Sequence, residues 1–295
     1  MKLANLDGRA ALITATGRAV DVHKASDGRF GPDPAPLYDD WSAFAEWATA
    51  VSLEEDDAVD VDPAALGAPS PGPRQIVAIG LNYTAHAAES GFDAPTGLPP
   101  VFPKFVSSLT GPVTEVVLPE GGHTDWEIEL VAVIGRVTSQ VSEQDAWDHV
   151  AGVTAGQDLS ERVTQLQGPA PQFGLGKSFP GFAPTGPWLV TPDELPDRDD
   201  LELRCELDGE TVQQGRTSNL IVPVARLVAE LSRVITLYPG DLLFTGTPDG
   251  VGLGRDPQRY VAAGQTLVST IEGVGELRQT FVAGGAPARG QEAPR

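Results

Sequence analysis

The chain has 295 residues, with 41 acidic against 20 basic side chains and a formal net charge of −21, which excludes nucleic acid and anionic membrane surfaces as partners. Its length suits one large domain or a large and a small one, and no run approaches the roughly 18 apolar residues of a membrane span. The first residues carry no apolar signal core, so the expected localisation is cytoplasmic, and the single cysteine, Cys205, cannot form an internal disulfide.

Residues 1–70 read as a small N-terminal α+β domain. Lys2 to Thr14 is strand-like, interrupted by an Asp7-Gly8 turn signal. Trp41 to Val51 reads as a short helix, with Trp41, Phe44, Ala48 and Val51 on one stripe. Nothing in this unit converges on chemistry, and His23 beside Asp21 reads as a surface residue. The proline-rich stretch 62–74 is a linker, and a larger domain over 71–284 follows.

Gln75 to Gly80 opens that domain as a buried strand ending in glycine. In the next segment a turn of helix makes His86 and Glu89 neighbours at i, i+3. A carboxylate beside an imidazole orients it and raises its basicity, the usual arrangement for a general base acting on water. A plain surface pair is the alternative. Pro99 to Pro112 reads as a loop carrying Lys104, which could face an anionic ligand.

The most informative stretch is Asp125 to Gly135, a strand with β-branched residues, an aromatic start and a glycine end. By the period of two, Trp126, Ile128, Leu130 and Ile134 share one face, and Glu127, Glu129, Val131 and Val133 the other. Two carboxylates thus point the same way, roughly 7 Å apart at the backbone. A divalent metal would relieve their repulsion; an edge strand with a solvated acidic face is the alternative.

Ser142 to His149 reads as a capped helix, and Ala151 to Asp158 as a strand with Asp158, a candidate third carboxylate, at its end. Residues 165–176 read as a mobile loop delivering Lys177, the only lysine in the second half of the chain. Only a lysine among the basic residues can be tuned by burial. Leu201 to Gln214 is a hairpin with an Asp-Gly turn; Cys205 alternates there with Leu201, Leu203 and Leu207, as a core residue does. Val222 to Ile235 is an amphipathic helix, with Val224, Leu227, Val228, Leu231 and Val234 inward. After the strand Leu242 to Phe244, glycines among Thr245 to Gly252 let backbone amides approach an anion. Residues 285–295 read as a disordered tail.

These residues carry a family resemblance. Gly80-Leu81-Asn82-Tyr83 with His86 and Glu89, then Glu127-Ile128-Glu129-Leu130, then Asp158-Leu159-Ser160 with Arg162 are the first three motifs. Gly176-Lys177-Ser178-Phe179, Pro239-Gly240-Asp241 and Thr245-Gly246-Thr247-Pro248 complete the series. Six motifs in order over 75 to about 282 resemble the fumarylacetoacetate hydrolase family, in its acylpyruvase-like branch. The resemblance implies a mixed, mainly β fold: a β-roll catalytic domain preceded by the small N-terminal α+β domain. It implies Mg²⁺ or Mn²⁺, with Ca²⁺ as a further option, on Glu127, Glu129 and Asp158. It implies His86, Glu89 and Lys177 as catalytic residues and a homodimer as the working form. Substrate contacts are expected at Tyr83, Lys104, Arg162, Gly246 and Thr247. The region matching a further acidic ligand in enzymes that cleave fumarylacetoacetate itself holds Thr84, Ala85 and His86, so that substrate is disfavoured.

The expected function is metal-dependent hydrolysis of a C–C bond in a small anionic 2-oxo acid. An acylpyruvate (a 2,4-dioxo acid) would give pyruvate and a carboxylic acid. Alternatives on the same site are oxaloacetate decarboxylation and hydroxy-dienoate isomerisation. A catalytically silent protein that binds a metal or small molecule is the alternative from another class.

Overall fold

The structure, a computed structural model, describes residues 1–284. The tail expected at 285–295 lies outside the described residues. The first strands are β1 (Lys2–Leu6), β2 (Arg9–Ile13), β3 (Ala19–Asp21), β4 (Leu66–Gly67), β5 (Ile76–Ile79) and β6 (Val101–Lys104). Next come β7 (Leu109–Thr110), β8 (Val113–Leu118), β9 (Thr124–Asp125), β10 (Ile128–Ile134), β11 (Val150–Gln157) and β12 (Ser160–Glu161). The last are β13 (Ala183–Val190), β14 (Glu202–Leu207), β15 (Glu210–Arg216), β16 (Leu242–Phe244), β17 (Thr266–Ile271) and β18 (Gly275–Ala283). Helices are short: α1 (Val22–Ala25), α2 (Trp41–Ala50), α3 (Thr84–Glu89), α4 (Arg162–Gln165), α5 (Phe173–Gly176) and α6 (Val224–Ser232).

An eleven-stranded sheet runs β3-β2-β1-β13-β11-β10-β16-β5-β6, with β4 added on β1 and β7 on β13. A five-stranded sheet, β15-β14-β17-β18-β8, packs across it. Strand β10 lies at the centre and is buried over its whole length. Its even-numbered side chains, Ile128, Leu130, Ala132 and Ile134, join the core shared with β14, β17, β18 and α6. Val131 and Val133 join a second core with β5, β16, β1 and α2. The alternation expected for this stretch therefore separates two apolar layers, and no face of β10 meets water.

The strands of residues 1–70 belong to the large sheet. Asp7 and Gly8, both at positive φ (52° and 76°), turn β1 into β2, and β1 pairs antiparallel with β13 from Lys2↔Val190. Inside the expected linker, β4 pairs with β1, and the Ser70 hydroxyl donates to the Gly240 carbonyl at 2.7 Å.

Four local expectations change. The stretch from Asp125 to Gly135 is not one strand: β9 pairs with β12, and β10 begins only after Trp126 and Glu127. The break is stabilised by side chains, with the Glu127 N–H donating to Gln157 Oε1 at 2.9 Å. The Pro99–Pro112 loop contains β6, whose Pro103 is tolerated because β6 is an edge strand. The helix expected at 142–149 reduces to a 3-10 turn at Ala146–His149. Helix α6 ends at Ser232, so Val234, expected inward, is 82 % exposed.

Candidate active site

Strands β10 and β11 bring the three acids together. Their antiparallel register sets Glu129 opposite Gly156 and Ile128 opposite Gln157. Asp158 follows directly, with its N–H on the Glu127 carbonyl at 2.9 Å. One carboxylate oxygen from each of Glu127, Glu129 and Asp158 lies within 4.8 Å of the others, and all three residues are buried.

So much buried negative charge requires cations. Lys177 Nζ bridges Glu127 Oε2 at 2.7 Å and Asp158 Oδ2 at 2.6 Å. Lys104 Nζ, fully buried, meets Asp158 Oδ1 at 2.5 Å and also donates to the Lys177 carbonyl. Arg162 Nη1 reaches Glu127 Oε1 at 2.8 Å, while its Nε and Nη2 hold Asp125 Oδ2 at 2.8 and 2.6 Å. Burial alone would raise the Glu127 carboxyl, but Lys177 and Arg162 overcome it and hold it at about 2. Burial opposes the Lys177 charge as well, yet Asp158 and Glu127 raise its pKa and keep it an ammonium.

Glu129 is the exception. It accepts the Gly246 N–H at 2.7 Å, but burial and the neighbouring Asp158 and Glu127 push its carboxyl well above the ordinary range. Glu129 is thus the one acid of the cluster that pairs with no lysine or arginine among the described residues. Three converging hard oxygen donors, one of them without a cationic partner, fit a divalent cation of the Mg²⁺ or Mn²⁺ type.

The dyad comes from α3. Leu81, at φ 58°, turns the chain sharply after β5. Asn82 locks the turn: its amide donates to the Val222 and Thr245 carbonyls at 3.0 and 2.8 Å, and its oxygen accepts the Val222 N–H at 2.9 Å. His86 Nδ1 lies 2.8 Å from Glu89 Oε1, and Glu89 Oε2 accepts the Gly250 N–H at 2.8 Å. With Nδ1–H directed at the carboxylate, Nε2 is left as the basic nitrogen. His86, Glu89, Glu127, Arg162 and Lys177 line one cavity of about 650 Å³.

The structure therefore brings together the expected acids, the dyad, Lys177 and Arg162. It sets the other expected contacts elsewhere. Lys104, expected on a loop facing a ligand, points inward from β6 to Asp158, because the alternation of that strand buries it. The Gly246 N–H is taken by Glu129, and the Thr247 hydroxyl donates to the Ile128 carbonyl at 2.8 Å, so both brace the ligand strand. Tyr83 is buried with its hydroxyl unpartnered; burial, then the Glu129 charge, raises its phenol pKa. Asp125 was missed as a site residue. Its carboxylate takes Arg162 together with the N–H groups of Gly252 (2.7 Å) and Leu253 (2.9 Å), tying three segments together.

The profile for the fumarylacetoacetate (FAA) hydrolase C-terminal region matches residues 75–282. The chain belongs to this family. Among curated relatives, the 2,4-didehydro-3-deoxy-L-rhamnonate hydrolase of Sphingomonas sp. (strain SKA58) is 48% identical over 215 residues, covering 72% of this chain and 75% of that one. Among solved structures, an HpcE-like protein of Mycobacterium smegmatis has a TM-score of 0.91 at 56% identity, covering 97% of this chain and 100% of that one. The maleylpyruvate hydrolase of Sphingobium sp. SYK-6, in complex with manganese and pyruvate, has a TM-score of 0.78 at 28% identity, covering 97% and 100%. The relatives of this family member thus include enzymes named as hydrolases, and the mainly β architecture is the family's fold.

Proposed function

We propose that this family member is a divalent-metal-dependent hydrolase that cleaves a C–C bond in a 2,4-dioxo acid, releasing pyruvate and a carboxylic acid. The observation that carries this reading is the shared cavity: a carboxylate-oriented imidazole lines the same space as Glu127, one of the three clustered acids, and Lys177, which bridges Glu127 to Asp158. Two relatives support it. The Sphingomonas enzyme is named for a 3-deoxy acid with oxidised C2 and C4, and the Sphingobium structure holds manganese and pyruvate together.

A cation held by Glu127, Glu129 and Asp158 would supply Lewis acidity towards the 2-oxo acid oxygens. The chain supplies the rest. His86 Nε2 takes a proton from water as the hydroxide adds to the C4 carbonyl, and Glu89 stabilises the imidazolium that results. The C3–C4 bond then breaks, with its electron pair passing into the pyruvate enolate. Lys177, held as an ammonium on the wall of the same cavity, would stabilise that developing negative charge. The proton on His86 returns to C3, which completes pyruvate. Decarboxylation of oxaloacetate or isomerisation of a hydroxy-dienoate requires no water-activating base, and the dyad therefore favours hydrolysis.

The test is a panel of acetylpyruvate, oxaloacetate and a hydroxy-dienoate with Mg²⁺ or Mn²⁺. Pyruvate is measured by coupled lactate dehydrogenase, and the second product by mass spectrometry. Stoichiometric pyruvate and acetate from acetylpyruvate, lost on chelation, is the expected result. Isomerisation or decarboxylation without acylpyruvate cleavage would overturn the reading.

A further inference from the structure

The acyl side of the substrate is set by what the cavity offers beyond its acidic cluster. The basic side chains on its wall are His86, Arg162 and Lys177, and each already holds a carboxylate. His86 is held by Glu89, and Lys177 lies between Glu127 and Asp158. Arg162 is spread across Asp125, Glu127 and the Gln165 side-chain oxygen, the last at 2.8 Å. Arg255 and Arg259 lie outside the wall: the first donates to the Val212 and Gly250 carbonyls, the second pairs with Glu210.

Apart from the acids Glu89 and Glu127, the rest of the wall is apolar or neutral. Leu81, Phe92, Phe102, Leu166, Phe173 and Leu253 provide most of it. Ser90, Gln165 and Gln258 are its neutral polar groups. Gln258 is committed, its amide on the Leu253 carbonyl and its oxygen accepting the Tyr260 hydroxyl. Ser90 and the Gln165 amide can serve a hydroxyl or a carbonyl; neither neutralises a charge.

From this charge distribution we infer that the substrate carries a single carboxylate and that its acyl arm is electrically neutral, either hydrocarbon or hydroxylated. The inference rests on the hydrolase reading above and narrows it. The 2-oxo acid end would have a cation on Glu127, Glu129 and Asp158 to receive it. A second carboxylate on the acyl arm would leave water for an apolar wall with no uncommitted cation among the described residues, and would meet Glu89. Desolvation without a partner is heavily penalised, so dicarboxylic 2,4-dioxo acids should be rejected.

The experiment compares two compounds with one skeleton: fumarylpyruvate and the analogue in which its distal carboxylate is a primary amide. Both are given to the metal-loaded full chain, and kcat/KM is read from pyruvate release. The amide should exceed the acid by at least about a hundred-fold. In Leu166→Arg, which places a cation on the half-exposed rim, the gap should narrow by about ten-fold. Equal rates, or a faster acid, would overturn the inference and leave the hydrolase reading standing. Where neither compound releases pyruvate, calorimetric affinities decide. An amide bound at least a hundred-fold more tightly keeps the inference while the hydrolase reading falls, and equal binding removes both.

Discussion

Asp125→Asn is the sharpest test of how the site is held. The Asp125 carboxylate is wholly buried and is surrounded by donors. Oδ1 accepts the N–H groups of Trp126 (2.8 Å) and Gly252 (2.7 Å). Oδ2 accepts Leu253 N–H (2.9 Å) and Arg162 Nε and Nη2 (2.8 and 2.6 Å). Only an ionised acid can accept on both oxygens. Asparagine has the same shape but replaces one oxygen with a donor, which must face either two backbone amides or Leu253 and the guanidinium. Breaking a buried ion pair costs about 3–5 kcal/mol. Each buried amide left without an acceptor costs about 1–3 kcal/mol, and these terms overlap because the same donors are counted. The expected loss is about 4 kcal/mol. In urea, with a slope of about 3 kcal/mol/M, the midpoint should fall by about 1.3 M. The measurement is equilibrium unfolding in chelator, so that metal binding does not contribute. Pairing with Arg162→Gln in a double-mutant cycle should give a coupling of at least about 2 kcal/mol. A loss under about 1 kcal/mol for Asp125→Asn, with little coupling, would show that Arg162 and the loop around Gly252 are held by something else.

Three further outcomes follow from the same geometry. Mn²⁺ or Mg²⁺ at a hundred times its Kd should stabilise the wild type by about 2.7 kcal/mol, and Glu129→Gln or Asp158→Asn should lose that gain in thermal unfolding; a gain kept by both variants would sink the three-acid site. His86→Ala should lower kcat on a 2,4-dioxo acid by about 10²–10⁴-fold while leaving the metal-induced thermal shift intact, and an unchanged kcat would remove His86 as the base. In chelator, Glu127 and Glu129 should act with opposite sign on stability. Glu127 is held at about 2 against an unperturbed 4.5, so its stabilisation is present above about pH 4.5 and fades as pH falls towards 2, which should close the gap between wild type and Glu127→Gln. Glu129 is raised, so its ionisation weakens the fold as pH climbs, and Glu129→Gln should make the metal-free protein more stable at pH 7. Unfolding curves across pH check both signs.

The parts of the site that local spacing encodes were legible in the sequence. The period of two placed Glu127 and Glu129 on one face, and a separation of three placed His86 against Glu89. What escaped depends on distant partners. Asp125 gains its role from Arg162, 37 positions on, and from Gly252, 127 positions on, and no local pattern announces either. Lys104 was hidden by its prolines, which read as a loop although an edge strand accommodates them. The Gly246 and Thr247 donors looked free for an anion because the acceptors that occupy them, Glu129 and the Ile128 carbonyl, lie on a strand more than a hundred positions earlier. Proline density suggested a linker at 62–74, where β4 and Ser70 are in fact bonded into the large sheet.

The position of β16 has a consequence for how the chain folds. β10 and β11 are neighbours in sequence, and their pairing gathers all three acids within a stretch of 32 residues, Glu127 to Asp158. β5, and with it β6 and Lys104, reaches β10 only through β16, which lies between them in the sheet and is made more than a hundred residues after β10. Loop closure over that span is slow compared with hairpin formation. A chain emerging in sequence can therefore gather its carboxylates before β16 gives Lys104 its place, a stage at which the centre of the sheet would hold fewer cations than the finished fold. A divalent ion on those carboxylates would offset the missing cation at that stage, before there is an active site for it to serve.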